Sequence, residues 1–139
     1  DGGERREIAR ARRMRGQVLS PGGRWLIWYV AGDPTAEANG LWLAETRAGA
    51  PPPRRLEGRF GAYQWRDARR LVMVPFDLGA PSHRMVELDV ETGAERPLTD
   101  PATLPLRIAN GDWSVSPDGR HVAYVSAADQ NLWVVRLPD

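Results

Sequence analysis

Serine, histidine and aspartate are the residue types here that could combine into hydrolytic chemistry. A triad needs a serine whose proton passes to an imidazole, itself held by a carboxylate. The serines are Ser20, Ser82, Ser114, Ser116 and Ser126, and none sits in the Gly-x-Ser-x-Gly frame of a nucleophile elbow. His83 and His121 are the only imidazoles. His121 follows a turn at a place where parallel stretches carry Trp25 and Arg70, so it reads as a variable position. His83 reads as a solvated residue in or beside a hairpin loop. Two histidines and no cysteine are too few donors for a zinc centre. Asp33, Asp67, Asp77, Asp112, Asp118 and Asp129 do not take the alternating spacing of a calcium loop. Asp118 is expected to cap its own turn. Gly22-Gly23 lacks the lysine and helix of a phosphate loop. These readings assign no catalytic, metal or cofactor-binding residue, and no cofactor.

The elements that carry these residues are turns and short strands. Ser116-Pro117-Asp118-Gly119-Arg120 is a tight turn: Pro117 presets φ, and Asp and Gly accept the positions that follow. His121-Val122-Ala123-Tyr124-Val125 is a β-branched and aromatic run of strand length. Ala127–Gln130 connects it to a second strand, Leu132–Leu137, whose two faces are both largely apolar, as between two neighbouring sheets. A first copy reads Ser20-Pro21-Gly22-Gly23-Arg24 with the strand Trp25–Val30 and then Leu41–Ala44. In a degraded middle copy Trp65–Arg70 replaces the turn, followed by Leu71–Val74 and Met85–Asp89. The second strands begin 44 and 47 residues apart, a period that points to propeller blades.

The turn-plus-strand pattern, above all Ser116-Pro117-Asp118-Gly119-Arg120 with Leu132-Trp133-Val134, resembles the WD-like blade of TolB-type β-propellers. The same blade occurs in the propeller domains of prolyl-oligopeptidase-family peptidases and in tricorn-like proteins. The resemblance implies an all-β fold of about three four-stranded antiparallel blades. Blade one spans about 16–57, blade two about 61–100 and blade three about 110–139. Inner strands are expected before each turn, at Gly16–Leu19, Ala62–Trp65 and Asp112–Val115. The resemblance does not specify a function, because this blade serves many roles.

Gly3-Glu4-Arg5-Arg6-Glu7-Ile8-Ala9 aligns without gaps on Gly93-Ala94-Glu95-Arg96-Pro97-Leu98-Thr99. The latter reads as a glycine turn into an outer strand, and Gly49–Leu56 is the looser match in the first copy. Residues 3–10 are therefore expected to be an outer strand that completes the last blade; a basic helix or tail is the alternative. Three blades are too few for a ring. The expected partner is another copy of the chain, giving a six-bladed homodimer, or else the rest of a longer propeller. A start at Asp1 without methionine fits an excised segment. A cation held in the shared channel by symmetry-related groups is left open.

Within 139 residues, 42% are hydrophobic and 27% charged, the balance of a globular domain. All 19 basic residues are arginine, and the net charge is +1, which is no trap for nucleic acid. No apolar run is long enough for a membrane-spanning helix, and the absence of cysteine leaves the compartment open. Six tryptophans read first as core, with Trp25 or Trp28 as candidate contacts on a binding face. The function expected is a non-enzymatic scaffold that binds protein or peptide through its rim or channel mouth. The alternatives are the gating domain of a prolyl-oligopeptidase-like peptidase, a sensor domain, or a purely structural fragment.

Overall fold

The computed structural model describes residues 3–139. They form an all-β structure of three antiparallel sheets, with one 3-10 turn at Ala36–Ala38 and no α-helix among the described residues. The chain divides into two compact units, one ending at Arg59 and the other running from Phe60 to Asp139.

The first unit is a meander of β1 (Met14–Leu19), β2 (Trp25–Val30), β3 (Gly40–Glu45) and β4 (Arg54–Arg55). Trp28, Val30 and Ala44 form a buried cluster on it. The second unit holds two sheets. One is β5 (Gly61–Trp65), β6 (Arg70–Pro75), β7 (Val86–Asp89) and β8 (Glu95–Pro97), in that order. The other has three strands, β9 (Ile108–Val115), β10 (His121–Ser126) and β11 (Leu132–Arg136). Val72, Val74, Met85 and Leu98 of the four-stranded sheet and its flanks share one buried cluster with Leu106, Ile108, Val122, Tyr124 and Leu137. Burying each such side chain contributes about 1.5–3 kcal/mol, so this shared cluster holds the unit together.

The two intact turns are built alike. Gly23 N–H donates to Ser20 O at 2.7 Å and Gly119 N–H to Ser116 O at 2.8 Å. Each serine hydroxyl accepts the first strand N–H, from Trp25 and from His121, both at 3.0 Å. At matching positions beyond the second strands, Thr46, Val90 and Leu137 N–H donate to Arg24, Arg69 and Arg120 O at 3.0, 2.9 and 2.7 Å.

The middle turn differs from the sequence expectation. Trp65 pairs with Leu71 as Val115 pairs with Val122, so it is the last residue of a buried strand end rather than the counterpart of Ser116. Arg66 takes the serine's place in a turn one residue shorter. Asp67 Oδ1 accepts N–H from Arg69 at 3.0 Å and Arg70 at 2.8 Å, which replaces the serine hydroxyl.

The freed Arg66 side chain is buried between the two sheets of the second unit. Its Nε donates to Gly119 O at 2.8 Å, its Nη1 to the Glu87 carboxylate and its Nη2 to Pro138 O. Arg96 Nε donates to the other Glu87 oxygen at 2.9 Å. Burial pushes the Glu87 carboxyl up, but the hydrogen bonds from Arg96 and Arg66 and the charges of Arg70 and Arg96 outweigh it. The carboxyl is held below its usual range.

Two expectations are not met within the single chain. Residues 3–10 form neither strand nor helix; Ile8 and Ala9 instead pack on the Trp28 cluster of the first unit. The third sheet consequently keeps three strands, and β11 ends it. Nor are both faces of β11 covered. Val135 packs on the core and Leu137 is buried, but Leu132 is 78% and Val134 66% exposed.

Gly119 has φ +71°, and a Cβ there would stand 2.6 Å from Arg66 O. Ala68, its counterpart in the shortened turn, is exposed without positive φ. Gly119→Val is therefore expected to cost at least about 2 kcal/mol, and Ala68→Val less than about 0.5 kcal/mol. Denaturant unfolding of both variants checks this, and equal losses would refute it. Arg66→Met leaves a buried carboxylate without its buried partner, with Arg96 still bound from the half-exposed side. It is expected to cost about 3–5 kcal/mol in the same assay, and a loss under 1 kcal/mol would count against the clamp.

Candidate functional site

Beside the Arg66 clamp, two features fix the neighbouring strands β5 and β9. The Gln64 amide donates to Trp113 O and accepts Val115 N–H at 3.0 Å, so one side chain continues the hydrogen bonding from sheet to sheet. Further along β9, Asn110 and Gly111 take φ of 53° and 69°, and the pairing with β10 shifts register between Tyr124 and Ser126. This bulge re-aims the strand beside the loop that follows β6.

There a cleft of about 210 Å³ opens, lined by Val74–Leu78, His83, Arg107, Ile108, Gly111 and Trp113, with Ala62. A second hollow of about 300 Å³ shares Pro75, Asp77 and His83. Around the cleft the apolar surface is unusually open: Phe76 is 65% and Leu78 88% exposed. Phe60, 45% exposed, meets Phe76 edge-to-face with ring centroids 6.2 Å apart. The polar groups are few. Asp77 Oδ1 accepts Gly79 N–H at 3.1 Å, and Arg107 Nη1 reaches Ala80 O at 3.4 Å.

His83 is a strut rather than the solvated loop residue expected from sequence. Its N–H donates to Leu106 O at 2.7 Å and its Nδ1 accepts Ile108 N–H at 2.9 Å. The neutral ring must then carry its proton on Nε2. Burial first, and the Arg107 charge second, push the imidazole below the ordinary histidine range. The side chain thus ties the β6–β7 connection to the start of β9 and forms one wall of the cleft.

The remaining candidates scatter. Ser116 Oγ donates to Asp118 Oδ1 at 2.6 Å and accepts His121 N–H, so the hydroxyl belongs to its turn and bonds no imidazole. Asp118 also accepts Arg120 N–H at 3.0 Å, the capping role read from sequence. No group of three or more acidic, histidine or cysteine residues is placed to hold a metal ion among the described residues. Trp25 and Trp28 are buried, so they are core; Trp133, at 50%, is the tryptophan most in contact with solvent among the buried and large exposed residues. Sequence reading did not single out Phe76, Leu78 or Arg107. Phe76 and Leu78 lie at the start of the loop that follows β6, and two large apolar residues in a polar loop were the available signal.

No protein-family model matches the chain. No curated protein matches it either.

In an NMR titration, His83 is expected to titrate below the ordinary value of about 6.5, with the Ile108 amide resonance moving with it. The lowered value in the folded state means that stability from this bond is present at neutral pH and is lost as pH falls. An ordinary midpoint with a silent Ile108 amide would refute the strut.

Proposed function

We propose that the three sheets are blades of a TolB-type, WD-like β-propeller, and that the protein is a non-enzymatic scaffold binding a peptide or protein segment. On this reading two copies supply the six blades of a ring, and the cleft beside His83 lies at its rim. One observation carries the binding assignment: Phe60, Phe76 and Leu78 stay exposed around a cleft whose walls are set by backbone and side-chain hydrogen bonds. An apolar side chain of the ligand would enter beside Ile108 and Trp113. The His83 Nε2–H and the Arg107 guanidinium supply donors for ligand carbonyl or carboxylate oxygens. Such an arrangement, with apolar anchors and a few fixed polar groups, is the usual chemistry of a peptide contact. The turn-bound Ser116 hydroxyl supports leaving hydrolysis out of the reading.

The test is selection of binders from a random peptide display, followed by titration of the best peptide. The Phe76→Ser/Leu78→Asp variant is expected to weaken binding at least about ten-fold with an unchanged circular dichroism spectrum. Undiminished binding by the folded variant, or no peptide recovered by the wild type, would count against the site.

A further inference from the structure

The two four-stranded sheets attach their outer strands in the same way. Leu56 N–H donates to Leu41 O at 2.8 Å, and Leu98 N–H donates to Met85 O at 2.8 Å. From there β8 runs antiparallel along β7, with Pro97 opposite Val86, Arg96 opposite Glu87 and Glu95 opposite Leu88. In the third sheet, Leu132 stands where Leu41 and Met85 stand. Leu41 pairs with Tyr29 and Leu132 with Val125, each at the matching place in its sheet. Yet no strand follows on that edge among the described residues.

The face of β11 tells the same story. Met85 is 0% and Glu87 6% exposed within the two-sheet unit, whereas their counterparts Leu132 and Val134 are 78% and 66% exposed. A complementary surface lies on the first unit. Val115 packs into the shared core, whereas its counterpart Leu19 is 55% exposed. Leu98 shares a cluster with Val122 and Tyr124 of the following sheet, and Ile8 packs on Trp28, the counterpart of Tyr124. Ile8 therefore sits on the first sheet as the outer strand of a preceding sheet does. Among the described residues, the sheet without an outer strand is the third.

We infer that residues 3–9 of a second copy pair antiparallel along the outer edge of β11, with Ile8 opposite Leu132, Glu7 opposite Trp133, Arg6 opposite Val134 and Arg5 opposite Val135. This rests on the blade reading above. The joint carries the second copy's first sheet over Leu132 and Val134, and Ile8 fills the seam as Leu98 does. Head-to-tail contacts of this kind use two different surfaces of one chain, so they close only as a ring or extend as a filament.

The chain has no cysteine, so introduced pairs report the register directly. Glu7 and Trp133 form a pair of the non-hydrogen-bonded kind, within reach of a disulfide. Full-length Glu7→Cys and Trp133→Cys chains are co-expressed and mildly oxidised. The expected product is a Glu7–Trp133 disulfide that shifts the species from one chain mass to two, in large excess over the slipped pair made with Arg5→Cys. Arg5→Cys is expected to link to Val135→Cys instead. A two-chain particle by light scattering without these links overturns the joint and leaves the blade reading standing. A one-chain particle without links overturns both the joint and the paired ring.

Discussion

The buried guanidinium of Arg66 is the constraint on which the second unit depends. A charge in a low-dielectric interior is tolerated only when it is paired and hydrogen-bonded, and here each of the three guanidinium nitrogens finds an acceptor in a different direction. Glu87 supplies the countercharge from β7, while Gly119 and Pro138 supply carbonyls from beyond β9 and β11. The clamp therefore holds only if both sheets are folded and in register. It also explains Gly119, whose backbone lies too close to Arg66 for any side chain. Apolar contacts in the shared cluster supply most of the burial, but they are non-directional, and the clamp is what makes one relative placement the satisfied one.

The cleft inherits its shape from that placement. Gln64 spans the same pair of sheets at the inner strands, and His83 spans them at the loop end. Between these ties, the bulge at Asn110–Gly111 leaves space that no side chain fills. Rigid walls matter for a binding surface because little ordering remains to be done when a ligand arrives. In the proposed binding role the exposed loop residues Phe76 and Leu78 would supply the apolar contact, and they lie on the connection that His83 anchors.

Each unit carries apolar surface at positions whose counterparts in another sheet are buried or packed. Leu132 and Val134 are such residues on the second unit, and Leu19 is one on the first. A strand apolar on both faces is built to be covered on both, and an unpaired strand edge is a template for another strand. The proposed pairing between copies would answer both needs with one contact.

Much of the architecture was written locally. Pro117, Gly119 and the serine before them dictate a turn through their own backbone preferences, and the runs Trp25–Val30 and His121–Val125 carry strand propensity. The blade resemblance and the repeat alignment then placed all three inner strands and the outer strands around Arg54–Arg55 and Glu95–Pro97. What sequence could not decide were matters of partner and exposure. Arg66 looked like a defect in a degraded turn, and only the neighbouring sheet turns it into a clamp. His83 looked solvated, because the amide it accepts lies on a distant strand. Trp25 and Trp28 looked like candidate contacts although they are buried, since side-chain type does not say which face a sheet will cover. Turn geometry and strand pattern are set within a few residues, so the chain by itself determined them. Burial, ion pairing and the cleft require residues tens of positions apart to meet, so only the tertiary structure decided them.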